Sequence, residues 1–301
     1  MIRVAVLLGG ISNEREISLK SGKQVAKFLN KTSYKVSVYD PKTQFIRFVK
    51  DLKEKKIDVV FNALHGKGGE DGSIQGVLDW MNIPYTGSGV AASALAMDKA
   101  RAKAIYRENG IPTPASLVVD AVDMKQIKAK LGSQIVIKPN ADGSSVGVFV
   151  KPTQSRWKKL IEERIDAEGA CLIEAFREGR EFTVGVLGSE ALPVVEIRPK
   201  NAFFDFEAKY TPGMSNDICP APIPPRITRR AQELAIKAHD ALGCRGYSRT
   251  DMILTKRGLE VLETNTLPGM TELSLLPMAA KARGISFPEL LNRMIILAME
   301  S

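Results

Sequence analysis

The sequence predicts an α/β fold, and three features carry the prediction: βα alternation over the first third, Pro/Gly punctuation near residue 112, and a polar-alternating strand pair late in the chain. Residues 3–8, 34–39 and 57–63 are short, apolar and rich in β-branched side chains, as strands require. Residues 13–29, 43–55 and 73–81 carry apolar positions at helical spacing. Strands separated by helices argue for a parallel, doubly wound sheet. Asn13 and Glu16 have the spacing of a capping box, and Val25, Phe28 and Leu29 give the first helix a stripe to bury. A long helix over 89–109 leads into "GIPTPA", whose prolines and glycine mark a domain boundary. Beyond it, strands at 134–138, 146–150 and 171–175 with a helix at 153–166 make a small α+β module. The remainder holds long strands at 180–187 and 192–197, a Pro-rich loop at 211–225, a helix ending at 242, the strand pair and closing helices. The expected division is therefore 1–95, 96–180 and 181–301.

Composition narrows the function classes. A chain of 301 residues supports several domains without disulfide or metal staples. Apolar runs such as 4–8 and 294–299 are far too short to span a bilayer, so no membrane partner is expected. The N-terminus runs from strand into helix without the apolar core and cleavage site of a secretory signal, and a cytoplasmic location is the expectation. Cys171, Cys219 and Cys244 are odd in number and far apart, with no C-x-x-C, which argues against a disulfide framework or a zinc site. The net charge of +9 is spread over every segment among acidic residues, and both Trp residues stand alone. That pattern argues against nucleic acid as the principal partner and leaves small anionic ligands in view.

The stretch "LETNTLPGM" places a carboxylate and an amide two residues apart at the end of the strand pair. If residues 256–258 form a three-residue connection centred on Arg257, Asp251 lies opposite Glu263 and Arg249 opposite Asn265. Residues two apart on a strand share a face, so all four side chains converge. Oxygen ligands from Asp251, Glu263 and Asn265 suit a hard cation, magnesium foremost, with Arg249 facing the anion it carries. A solvated polar face fits the same spacing, and the sequence leaves both open. In "VIKPNADGSSVGVFV", Gly143, Ser144, Ser145 and Gly147 let backbone N–H groups turn toward phosphate, with Lys138 as a nearby point charge. A strand follows instead of a helix, so this is no Walker A loop, and a bare hairpin loop is the competing reading.

Glu14 follows "LLGG" at the carboxyl edge of the first sheet, where it either complements a helix dipole or holds a ligand ammonium. The glycines do not fit G-x-G-x-x-G, which argues against a nicotinamide dehydrogenase. His65, in "ALHGKGGEDG", lies at the same edge and is read as ligand-facing. His239 is expected to be an exposed helical residue, and the charges at 158–164 a solvated helical face.

Eight segments, in order, extend these readings over nearly the whole chain: "LLGGISNEREISLKSG", "ALHGKGGEDGSIQGVLDWMNIPYTGSG", "SALAMDKARAK", "IKPNADGSSVGV", "EFTVGVLG", "FEAKYTPG", "SRTDM" and "LETNTLPGMTELSLLPMAA". Together they resemble the D-alanine:D-alanine ligases of the ATP-grasp superfamily. The resemblance implies a Rossmann-like first domain (1–95) followed by central and C-terminal α+β domains that clamp ATP. By the same resemblance Lys99, Lys138 and Lys209 contact ATP phosphates under the 143–147 loop, with Glu174 and Glu181 at the adenine and ribose. Asp251, Glu263 and Asn265 match the ligands of magnesium or manganese, two ions per site. Glu14 would hold the ammonium of a first D-alanine in a network with Ser144 and Tyr210. Arg249 and the N–H of Gly269 would form an oxyanion site, and Ser274 and Leu275 would surround the carboxylate of a second D-alanine.

The implied chemistry is ATP-dependent joining of two D-alanines through an acyl phosphate, for peptidoglycan precursors, by a homodimer under a lid at 204–220. Tyr210 goes with an amine nucleophile in the family, whereas phenylalanine goes with D-lactate. One departure is Ala175, where relatives often carry lysine in the adenine hinge. A ligase using D-lactate or D-serine is the alternative; a non-catalytic nucleotide-binding module would have lost metal ligands or Arg249, and all are present.

Overall fold

The computed structural model describes residues 1–141, 147–198, 215–271 and 273–300. Among these residues, strands form three sheets. The first joins β1 (Arg3–Leu7), β2 (Lys35–Tyr39) and β3 (Val59–Asn62) in the parallel order β2-β1-β3. Val4 and Val6 enter one core with Val59 and Phe61, while Ala5 and Leu7 enter another with Val60. Burial on both faces explains why β1 is an unbroken apolar run. One of those cores is closed by helix Arg15–Leu29, through Val25 and Leu29, and by the distant helix Phe287–Met299, through Leu290, Leu291, Met294 and Ile295.

The second sheet contains β4 (Ser116–Val119), β5 (Ile135–Lys138), β6 (Phe149–Val150) and β7 (Cys171–Ala175), antiparallel in the order β4-β7-β5-β6. Helices Met124–Leu131 and Gln154–Glu168 pack on it through Ile127, Trp157, Leu160 and Ile161. The sequence reading missed β4 and helix Met124–Leu131. Both are short, and the helix buries two apolar residues, Ile127 and Leu131, too few to establish a period. The third sheet contains β8 (Arg180–Leu187), β9 (Glu190–Ala191), β10 (Val195–Ile197), β11 (Tyr247–Thr255) and β12 (Gly258–Asn265), in the order β10-β8-β11-β12 with β9 on β8. Phe182, Val184, Met252 and Val261 from this sheet share a core with Leu234, Ala235 and Ala238 of helix Pro225–Ala241.

Three expectations are corrected. The helix expected over 89–109 is two, Val90–Met97 and Lys99–Glu108, separated by Asp98 in an extended conformation (φ −81°, ψ 92°). The Asp98 carboxylate stabilises the break by accepting from the Arg101 N–H and the Asn140 amide. The first helix starts at Arg15 with Glu14 as its N-cap and no side-chain cap, so Asn13 and Glu16 form no capping box. His239 is buried, 4% exposed, and bonds Ser248 Oγ at 2.7 Å, because it lies on the helix face that packs against the third sheet. Among the described residues no helix is long and apolar enough to cross a membrane.

Candidate active site

β11 and β12 pair Arg249 with Asn265 and Asp251 with Glu263, as expected, by a different route. The connection is a two-residue turn that pairs Thr255 with Gly258, where Thr255 Oγ1 accepts from the Arg257 N–H at 3.0 Å. On its own this tighter turn would put the strand one residue out of register. A bulge beyond the Met252–Val261 pair accommodates Leu262 and restores it. Val261 therefore joins the buried core with Met252, whereas Glu263, two residues on, sits beside Asp251 on the opposite face. A regular strand would have placed Val261 and Glu263 on one face.

The four polar residues are then aimed by neighbours. Arg249 clasps Asp251 with two N–H···O bonds of 3.0 and 2.9 Å, and Thr183 Oγ1 donates to Asp251 at 2.5 Å. Asn265 Oδ1 accepts from the Leu267 N–H at 2.9 Å, which turns the chain toward the Pro268–Gly269 loop. On the buried face Thr250, Thr264 and Tyr106 form a hydroxyl chain of 3.1 and 2.8 Å that ties the hairpin to helix Lys99–Glu108. Among the described residues no three His, Cys, Asp or Glu side chains are grouped for a metal. A cation here would rely on the mixed set of two carboxylates and an amide oxygen, which suits a hard divalent ion.

The end of β5 and the helix that begins at Lys99 supply lysines. The helix break at Asp98 starts a new helix at Lys99, and Asn140, just past β5, accepts the Lys99 and Ala100 N–H groups at 3.1 and 2.9 Å. Lys99 Nζ thereby lies 3.7 Å from Glu263 Oε2 on the acidic hairpin. Lys138, at the end of β5, and Lys103 each place Nζ 3.0 Å from a carboxylate oxygen of Glu174. Lys103 was not foreseen; it also donates to Thr113 Oγ1 at 2.6 Å. Burial lowers the Lys103 ammonium from its usual 10.5 to about 8, against the pull of Glu174. Burial pushes Glu174 up, but the two lysines outweigh it and leave the carboxyl below its usual range. Glu174 is thus a buried counter-charge for two lysines, a role the sequence reading did not give it. The main chain of Ala175 is held in the β5–β7 ladder, and Lys151 Nζ stands 4.7 Å over the ring of Phe176. Glu181 lies on β8, paired with Ile253 and Ile197.

The edge of the first sheet supplies Glu14 and His65, both 7% exposed. Arg15 holds Asp40 at 3.0 and 2.5 Å and also bonds the Gly10 carbonyl, which fixes the glycine turn before Glu14. Gly66, at φ +67°, passes so close that a Cβ would lie 2.9 Å from Glu14 Oε2. Asn62 and Gln75 both donate to the Gly69 carbonyl, at 3.1 and 2.8 Å, and hold the loop that carries His65. Ser274 Oγ accepts from the Thr271 N–H at 2.9 Å, and a Cβ on Gly269 would meet that hydroxyl at 2.9 Å. Leu275 is buried in the core, so a ligand role falls to its main chain at a helix N-terminus. Gly143, Ser144, Ser145, Lys209 and Tyr210 lie outside the described residues, as do 204–214 of the expected lid.

Two antiparallel α+β sheets, with lysines gathered at Glu174 and Glu263 and an acidic hairpin face, beside a Rossmann-like parallel sheet, define a ligase of the ATP-grasp class. Residues 106–296 match the family model described as "D-ala D-ala ligase C-terminus", and residues 39–88 that described as "D-ala D-ala ligase N-terminus". The chain belongs to the D-alanine–D-alanine ligase family. It is 48% identical over 307 residues to a D-alanine–D-alanine ligase of Syntrophobacter fumaroxidans, covering 99% of this chain and 98% of that one. It is 46% identical over 309 residues to one of Desulfotalea psychrophila, covering 99% and 95%. Among solved structures it is similar to the Bacillus anthracis D-alanine–D-alanine ligase, with a TM-score of 0.89 and 33% identity over 100% of this chain and 98% of that one. The same enzyme complexed with ATP gives a TM-score of 0.86, 32% identity and the same coverage.

Proposed function

We propose the residue roles by which this ATP-dependent, ADP-forming ligase joins two D-alanine molecules into D-alanyl-D-alanine. The observation that carries the assignment is the 3.7 Å approach of Lys99 Nζ to Glu263 Oε2, which brings a phosphate-binding lysine to the acidic hairpin. Asp251, Glu263 and Asn265 would hold magnesium or manganese, as two ions, and their oxygen chemistry fits. Bound there, the metal would neutralise charge on the phosphoryl oxygens. Lys99 and Lys138 orient the triphosphate, with Gly143, Ser144, Ser145 and Lys209 assigned to the same task from sequence and Glu181 to the ribose. Glu14 and His65 flank the first D-alanine, with Ser144 and Tyr210 assigned beside them.

The first carboxylate attacks the γ-phosphorus, a P–O bond to ADP breaks, and D-alanyl phosphate forms. The amine of the second D-alanine, held at Ser274 and Leu275, then attacks the acyl carbon and loses a proton. The C–O bond to phosphate breaks and inorganic phosphate leaves. Arg249 and the Gly269 N–H stabilise the tetrahedral oxyanion, an effect worth about 3–4 kcal/mol per donor. A homodimer, a cytoplasmic location and use of the product in peptidoglycan precursors belong to the same proposal, supported by membership of the family.

Incubation with ATP, magnesium and D-alanine alone, D-alanine with D-lactate, or D-alanine with D-serine tests it. Mass spectrometry of the products is expected to show D-alanyl-D-alanine from D-alanine alone. Absence of that dipeptide, or a mixed product formed in preference to it, sinks the assignment.

A further inference from the structure

Ser21 lies in the middle of helix Arg15–Leu29 and is completely buried. A buried hydroxyl needs a partner. For Ser18, one turn earlier, that partner is the Ala63 carbonyl at 2.8 Å, an ordinary structural bond. Ser21 makes a different set. Its Oγ accepts the Met270 N–H at 3.2 Å, across 249 residues of sequence. Its Oγ also lies 3.3 Å from His65 Nε2, and for one tautomer of the imidazole it gives that nitrogen its own proton. Accepting that proton requires Nε2 to be bare, so a neutral His65 carries its proton on Nδ1 and donates it to Glu70 Oε1, also at 3.3 Å. The other Glu70 oxygen accepts the Gly66 N–H at 3.0 Å. For a neutral imidazole the roles are thus set from the carboxylate end, because Glu70 can only accept.

At the far end of this chain, a Cβ added to Gly269 would lie 3.9 Å from Ser21 Oγ and 2.9 Å from Ser274 Oγ, so the loop is pressed against both serines. We propose that Ser21, His65 and Glu70 form a relay that fixes the Gly269–Met270 loop, making Ser21 and Glu70 positioning residues for the amide-forming half of the reaction. The inference rests on the oxyanion role assigned above to the Gly269 N–H. Acyl phosphate formation transfers phosphorus and makes no use of that amide. Attack of the amine on the acyl carbon does use it, as the carbonyl oxygen takes charge before phosphate departs.

Rapid-quench measurement of ADP in the first turnover, set beside the steady rate of dipeptide formation, separates the two halves. Ser21→Ala is expected to keep first-turnover ADP formation within about twofold of wild type while dipeptide formation slows about 10- to 100-fold, the scale of a misplaced catalytic contact. Glu70→Gln, on a more accessible side chain, is expected to act in the same direction. Ser18→Ala, which removes a merely structural bond of the same helix, is expected to change both rates by one common factor. If Ser21→Ala and Glu70→Gln slow both rates equally, or neither, while wild type makes dipeptide, the relay is wrong and the ligase assignment stands. A wild type that makes no dipeptide overturns both.

Discussion

The pair of lysines on Glu174 decides how the end of β5 is built. A buried carboxylate is costly unless paired, and here two ammonium groups at 3.0 Å pair it. Lys138 is thereby held in a fixed direction at the end of β5, with Lys103 beneath it as the second counter-charge. Lys103→Met would leave Glu174 to Lys138 alone and draw that lysine toward the carboxylate. The ATP KM is expected to rise about tenfold while kcat at saturating ATP changes less. The lowered value of Lys103, about 8, adds a pH signature. Above about pH 8 the folded protein loses this ammonium, so the wild-type ATP KM is expected to climb there; the Lys103→Met variant starts high and shows no such step. Stability moves the other way. Between about 8 and the usual 10.5 the unfolded chain holds a proton that the folded chain has lost, so this lysine makes stability rise with pH across that window. An ATP KM with the same pH profile in both proteins would refute the clamp.

At the scale of elements, the hairpin shows how one added residue places the chemistry. Leu262 is the bulge that lets Val261 enter the core and Glu263 face the site. Inserting one alanine between Leu262 and Glu263 is expected to keep the strands paired through Val261 but carry Glu263 and Asn265 away from Asp251 and Arg249, lowering turnover by at least about 1,000-fold with near-native circular dichroism. Retained activity would show that the bulge has no such role. The convergence of Arg249, Asp251, Glu263 and Asn265 was legible in the sequence because period-two alternation survives on each side of the bulge. Its cause was misread: the extra residue was sought in the turn, where Gly258 offered a left-handed conformation, and it lies in β12. The helix break at Asp98 was hidden for a related reason, since its stabilising partner, Asn140, is distant in sequence. Ser21, Lys103 and Asn62 were missed because a buried polar side chain inside an apolar pattern carries no local mark of its partner. Glu14 and His65 could be placed at the sheet edge from sequence because glycine turns at a strand end do carry one.

For the whole molecule, the second sheet closes its own core, whereas the first and third sheets share one. Helix Phe287–Met299 covers the face of the first sheet presented by Val4, Val6, Val59 and Phe61. Ending the chain after Gly284 would strip Leu290, Leu291, Met294 and Ile295 from that core, at about 1.5–3 kcal/mol each, a sum comparable with a typical total stability of about 5–15 kcal/mol. The truncated chain is expected to be unfolded or aggregated by calorimetry and light scattering; a cooperative, monodisperse transition would show that the first sheet stands without it. The shared core also sets the first sheet's edge, with Glu14 and His65, against the loop after β12, as the roles proposed for these residues require. The most direct measurement of the proposed site is electron paramagnetic resonance of manganese bound with ATP to wild type and to Glu263→Gln. The variant is expected to keep its fold and bind manganese at least about tenfold more weakly, whereas equal affinity in the two proteins would contradict the placement of metal and triphosphate on the hairpin face.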